Sequence, residues 1–474
     1  MIQVRRITSY FKSNKLHFLT LLFIFLYTFA AIVVSLFRYF QFESYYFDFG
    51  IFDRAIWLVS QFKPPIVYHP NFDNGTNIIF ADHFNPSIFL FSPLYWITER
   101  REVLLVAQAI IVGISALVGY FLAKDFLKNN FVIFSLIFSY LGFVGMQNAL
   151  ITDFHEATVA TLPLMIAIYA AVKKRWKIFY ICLFIILGFK ESFAGLGVFL
   201  GLFLIIKERG NLKHGLATII ISLIWAAIAI KIIIPFFLGH PYFYTQSGIS
   251  LQELIDDFLN LEIRAKTLFY SFLNFGFLPL FNLSFLPTIA ENFLERFLSN
   301  SPSRWGLTLH YSAPLSVLMF ASSVLVMQKI EQSKKFRNVL VPYSLFIIAM
   351  VIFLHQFVLK GPLGLFHNPV FYTQTKNTDY IRVFLNKVPK DGLIMTQNDL
   401  SLRFSHENVI LLDKNYLSKN PDLIILNLTP GQSPNNFFPL SYEHALELKN
   451  RIINNGDYRL QKFGEELYLF TKIE

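Results

Sequence analysis

Residues 16–37 read LHFLTLLFIFLYTFAAIVVSLF, an apolar run without a charged side chain. A helix needs about 20 such residues to span a bilayer core. Secretory signals carry a shorter apolar core of about 7–15 residues and a small-residue cleavage site. This run is longer and no such site follows it, so it reads as a retained transmembrane anchor. Arg5, Arg6, Lys12 and Lys15 precede it. Basic residues stay on the cytoplasmic side, so residues 1–15 are expected there. Beyond the span comes YYFDFGIFDRAIW, Tyr45–Trp57, which sets Asp48 and Asp53 in an aromatic stretch.

The pattern repeats along the chain. Of the 474 residues, 54% are hydrophobic and only 15% charged, against about 25% charged in soluble domains. The net charge of +10 does not point to nucleic acid, because Lys and Arg cluster in short loops between apolar runs. The one cysteine, Cys182, falls inside a predicted span, so no intrachain disulfide is possible. Charge placement gives a consistent ladder of spans at 103–123, 131–150, 157–172, 178–189, 193–206, 216–238, 310–327 and 339–359. Residues 86–97 are too short for a span and contain Pro93, so they read as a juxtamembrane or re-entrant helix. Residues 264–298 read as two short helices or one interfacial helix.

The expected fold is an all-α polytopic membrane bundle of about ten helices with a small C-terminal α/β domain. Residues 38–101 form an extracytoplasmic loop with juxtamembrane helices, and 102–360 the multi-helix membrane domain. From 375 to 474 the texture changes. DGLIMTQ, NVILLD and DLIILNL are short β-type runs bounded by turn residues. SYEHALELKNRIINNG has a Ser cap, helical spacing and a Gly stop. YRLQKFGEELYLFTK reads as a closing hairpin. By parity this domain is extracytoplasmic.

The polar groups at span ends on that side are Asp48, Asp53, Asp82, His83, Asp153, His155, Glu156, Lys190, Glu191 and His310. Charges at membrane depth are costly and line cavities or pair with one another. Converging carboxylates suit a general base or ligands for a divalent cation. Each has a structural reading too. Asp48 or Asp53 suits a helix cap, and Asp53 suits a pair with Arg54. The DHF of residues 82–84 suits a turn. Lys190 and Glu191 suit a self-compensating pair. The metal question stays open, since no His/Cys ligand spacing, P-loop or nucleophile elbow is present.

In series, FDFGIFDRAIW, the HF.P loop, DFHE, KES and the later HY motif resemble the domain-of-unknown-function family two-thousand-and-seventy-nine of multipass membrane proteins. The KES departs from a KED-like pattern and leaves the Lys–Glu pair intact. That family is similar to the GT-C glycosyltransferases, which use polyprenyl-phosphate donors on the outer face of the cell membrane. The resemblance implies that Asp48 is the catalytic acidic residue and that DFHE is a second acidic position. On this reading Asp153, His155 and Glu156 position the acceptor or hold a cation, and Lys190, Arg296 and Arg304 balance the phosphate. Asp82, His83, Glu191 and His310 join them in binding substrate. The expected partners are membrane lipid and a lipid-linked sugar donor. Two alternatives stay open: a transporter or flippase using Lys190–Glu191 as its coupling pair, and a non-catalytic envelope scaffold.

Overall fold

The computed structural model describes residues 2–72, 75–242, 261–299, 301–464 and 466–473, with side chains of the first helix from Lys15 onward. The basic side chains at positions 5, 6 and 12 therefore lie outside the described residues. The chain divides into two compact units.

The first unit comprises residues 1–34, 83–87 and 106–367 and is helical. Among the described residues, five helices are long and apolar enough to cross a membrane: Lys15–Phe40, Val103–Phe126, Arg209–Leu238, His310–Gln332 and Arg337–Val358. Three shorter apolar helices, Glu156–Val172, Trp176–Leu187 and Phe193–Lys207, accompany them. The His310–Gln332 helix is 83% buried and Arg209–Leu238 only 17%, so the former is the bundle's core and the latter its lipid-facing rim. Residues 261–298 form two short helices, Leu261–Asn274 and Leu286–Phe297, around a 3-10 turn at Leu278–Phe281.

The expected single span at 131–150 is broken. Helices Asn130–Gly142 and Val144–Ile151 meet at a 49° bend. Phe143 between them is extended, at φ −64° and ψ 117°. The cause is tertiary: a side chain at Gly142 would run into Val351, 2.4 Å away, and one at Gly145 into Ser312 at 2.6 Å. Such close approach is the use membrane helices make of small residues.

The second unit comprises residues 35–82, 88–105 and 368–474. The first long loop and the C-terminal segment, far apart in sequence, thus build one body. Residues Pro86–Trp96 wind as a 3-10 helix rather than an α-helix, with Pro93 lacking the N–H that an α-helical ladder requires. Strands β1 (Ile66–Tyr68) and β2 (Thr76–Ile78) pair as a small antiparallel ladder. The C-terminal segment adds β3 (Ile394–Thr396), β4 (Val409–Leu411), β5 (Leu423–Asn427), β6 (Tyr458–Phe463) and β7 (Leu467–Lys472). They form one sheet in the order β4-β3-β5-β7-β6. β3 is parallel to β4 and β5, and β7 runs antiparallel to β5 and β6. Every residue of β5 is buried, as its unbroken apolar run demands. The helix Tyr442–Asn455 starts where Ser441 accepts from the His444 N–H and stops at Gly456, at φ 74°. Its Ala445, Leu448 and Ile452 are buried.

Candidate functional site

In the second unit, the two aspartates of the opening stretch have opposite environments. Asp48 is exposed and sits at φ 79° and ψ −82°. That backbone lies close to the γ-turn of positive φ, the rare and strained form. Such conformations cost about 1–3 kcal/mol and persist only where surroundings enforce them. Here Tyr46 and Phe49 are buried on either side. The Phe47 N–H donates to Asn398 Oδ1 at 2.8 Å, and Asn398 Nδ2 donates to the Asn435 carbonyl at 3.1 Å. Gly50 lets the turn close, since a Cβ there would lie 2.5 Å from the Tyr46 ring. The next helix, Ile51–Ser60, has Gly50 as its N-cap residue.

Asp53 is wholly buried. Tyr95 donates to its Oδ1, Ser405 Oγ donates to Oδ2 at 2.5 Å, and His406 Nε2 stands 3.0 Å from Oδ2. The expected pair with Arg54 does not form. Arg54 instead donates to the backbone carbonyls of Ser405, His406 and Glu407, because those carbonyls turn toward its guanidinium and leave Asp53 to His406. Burial alone would raise the Asp53 carboxyl. The His406 ring, then Arg101 and Ser405, outweigh burial and hold it below the usual carboxylate range.

Asp82 belongs to the same unit, 3.9 Å from His69 Nε2. His69 is buried, its Nδ1 accepts from the Asn71 N–H at 3.1 Å, and its ring lies 5.3 Å from that of Phe47. The Asp48 turn therefore rests on a histidine that no sequence motif marked. Next to Asn398, Asp399 is buried, with Oδ2 accepting from Asn436 at 3.1 Å and Oδ1 unpartnered. Burial pushes its carboxyl up to about 7. The folded state thus holds a proton that the unfolded chain loses near pH 4, and stability should fall as pH rises from about 4 to about 7. Asp399→Asn should remove that slope and stabilise the unit above pH 7 by on the order of 2–4 kcal/mol. Thermal unfolding at pH 5 and pH 8 reads the difference; parallel curves for wild type and variant would dismiss it.

In the first unit, five of the expected residues converge. Glu156 is fully buried, with His155 Nδ1 2.8 Å from Oε2 and Lys190 Nζ 3.2 Å from Oε1. The His155 ring stacks on His310 at 3.2 Å between centroids and 15° between planes. Asp153 is buried at φ 35°. Gln108, a residue the sequence did not single out, ties this loop down. Its Nε2 donates to the Asp153 carbonyl at 2.8 Å, and its Oε1 accepts from the His155 N–H at 2.8 Å.

Lys190 and Glu191 do not pair with each other as a self-compensating or coupling pair would. They point to different partners across a tight turn: Lys190 to Glu156, and Glu191 to His83 at 2.8 Å, the Tyr242 hydroxyl at 2.6 Å and the Phe84 N–H at 3.2 Å. Burial would raise Glu191, but His83 and Lys190 reverse this and bring its carboxyl down to about 2. Both Glu156 oxygens face nitrogen, His155 Nδ1 on one side and Lys190 Nζ on the other. Among the described residues, no three His, Cys, Asp or Glu side chains form a metal-binding group.

The arginines make a second cluster in this unit. Buried Arg296 donates through Nε to the Arg304 carbonyl at 3.0 Å and through Nη2 to the Gly306 carbonyl at 2.5 Å. Arg304 pairs with Glu295 at 2.7 Å and lies over the Tyr311 ring. Arg264 stacks 3.8 Å over Trp305. Sequence reading missed Arg264, which lies in a helix with no distinguishing motif. Arg264 Nε and Nη2 and Arg296 Nη1 are buried without a hydrogen-bond partner. Buried donors of this kind are rare unless something binds them.

With this geometry in view, comparison with solved structures finds ArnT from Cupriavidus metallidurans, crystallised bound to undecaprenyl phosphate. The TM-score is 0.56 at 10% sequence identity, over 95% of this chain and 98% of that one. The likeness establishes a GT-C fold for this multi-pass membrane protein. No curated protein matches the chain. A family model described as "Predicted membrane protein (DUF2079)" matches residues 38–469. The chain therefore belongs to that family.

Proposed function

We propose that the chain is an inverting glycosyltransferase that moves a sugar from a polyprenyl-phosphate-linked donor to an extracytoplasmic acceptor. The observation that carries this reading is the Asp48 turn: an exposed carboxylate on strained backbone, pinned by a side chain 351 positions away. The GT-C fold and the undecaprenyl phosphate bound to ArnT support it. The basic N-terminus is cytoplasmic on this reading, and Asp48 and residues 375–474 lie on the opposite side.

Asp48 accepts the proton of an acceptor hydroxyl as that oxygen attacks the anomeric carbon. The bond from this carbon to the phosphate oxygen breaks, and its electron pair leaves with the polyprenyl phosphate. Asp153, His155, Glu156 and His310 position the acceptor, with Asp82, His83 and Glu191 as further substrate contacts. Lys190 is already balanced by Glu156. The leaving phosphate therefore falls to Arg264 and Arg296, whose spare donors need an anion, with Arg304 beside them.

The test is release of polyprenyl phosphate by the purified full chain, given a panel of polyprenyl-phosphate sugars and hydroxyl acceptors. No release above a protein-free control from a folded sample would overturn the reading. Arg264→Gln should raise KM for the donor about 10- to 100-fold, the worth of a charge-assisted contact. An unchanged KM would remove Arg264 from the phosphate site.

A further inference from the structure

The helices His310–Gln332 and Arg337–Val358 are joined by the basic stretch QKIEQSKKFRNV, residues 328–339. A cleft of about 460 Å³ opens at this junction. Its walls include Leu278, Phe281, Met327, Phe336 and Leu340, and Lys329 also lines it. Phe281 is 69% exposed and Phe336 50%, so the apolar surface continues outward rather than closing over. The volume falls in the range of about 300–1,000 Å³ that accommodates one small ligand.

Charge decides what that ligand is. Lys329 lines the cleft, and Lys334, Lys335 and Arg337 are exposed in the same stretch on either side of the cleft-lining Phe336. The one carboxylate of the stretch, Glu331, is turned away. Its oxygens accept the backbone N–H groups of Lys128 and Asn129 at 2.8 and 3.0 Å. The stretch therefore sets four exposed cations beside an apolar cleft, and its own carboxylate is engaged elsewhere. The cleft also lies where two apolar helices long enough to cross a membrane meet. Basic pockets between transmembrane helices on the cytoplasmic side recognise anionic lipid headgroups.

The geometry points to a seat for an anionic glycerophospholipid, with an acyl chain in the cleft and the headgroup on Lys329, Lys334, Lys335 and Arg337. This site is independent of the transferase reading and does not involve a lipid-linked sugar.

Native mass spectrometry tests it on the full chain, loaded with equimolar phosphatidylglycerol and phosphatidylcholine of matched acyl chains. Phosphatidylglycerol adducts should exceed phosphatidylcholine adducts at least fivefold. The combined variant Lys329→Ala, Lys335→Ala and Arg337→Ala should lower the phosphatidylglycerol adduct at least fivefold. Lys177→Ala with Lys213→Ala, which removes exposed charge from the first turns of two other helices, should change it less than twofold. Equal retention of the two lipids by the wild type would overturn the proposal. So would equal losses in the two variants, or a lipid-free dimer that assigns the cleft to a second copy of the chain.

Discussion

Asp48→Asn should lower transfer about 10³-fold, within the range of about 10²–10⁴ that a positioned general base contributes. Asparagine suits this test better than alanine. Asp48 sits at φ 79°, and Asn and Asp tolerate positive φ where other side chains add strain. The carboxylate is exposed, and asparagine keeps its size and shape while removing its charge. A fall in kcat with donor KM and thermal stability unchanged is the expected pattern, since a base acts on the transition state more than on binding. If Asp48 matters only for backbone shape, Asp48→Asn would transfer within about threefold of wild type, far below a base's contribution, and the base would have to be sought elsewhere. Asn398→Ala supplies the companion measurement. It removes the acceptor for the Phe47 N–H while keeping the carboxylate, so an effect on kcat through positioning is separable from one through chemistry.

The readable parts of this molecule were those written locally. Hydropathy is a property of neighbouring residues, so 16–37 declared a span without reference to the rest. The β-runs around Ile394, Val409 and Leu423, the Ser441 cap and the Gly456 stop were legible for the same reason. The kink at Phe143 was not, because its cause is Val351 and Ser312 pressing on two glycines from a distant part of the chain. Several of the acids and histidines singled out from the sequence come together around Glu156. Their pairing was not legible, since Lys190 and Glu191 adjoin in sequence yet face different partners. Gln108, His69, Arg264 and Asn398 carried no signal at all. Each acts through contacts that exist only in the folded chain, and a single sequence holds no record of such contacts.

Asp53→Ala should cost the second unit about 3–5 kcal/mol, the usual effect of breaking a buried ion pair by removing one partner. It lies only five positions after Asp48, yet its role is the opposite one. The substitution strands the Tyr95 hydroxyl, the Ser405 hydroxyl and the His406 ring. His406 is stacked on Trp57 at 4.6 Å, and Arg101 binds both Ser405 at 2.8 Å and Glu407 at 2.6 Å. One carboxylate thus fastens the loop helix Ile51–Ser60 and the 3-10 helix Pro86–Trp96 to the 405–407 turn, segments some 350 residues apart. Limited proteolysis should open residues 35–105 and 368–474 together in Asp53→Ala, leaving the membrane helices protected. The pH response follows from the depressed carboxyl. Its contribution is fully present above the unfolded value near 3.8 and is lost as pH falls below it. Wild-type stability should therefore drop as pH falls below about 4, and this component should vanish in Asp53→Asn. Equal proteolysis and equal acid sensitivity in wild type and variant would show that the buried cluster is not what joins the loop to the C-terminal sheet. The two aspartates would then have to be told apart by something other than burial.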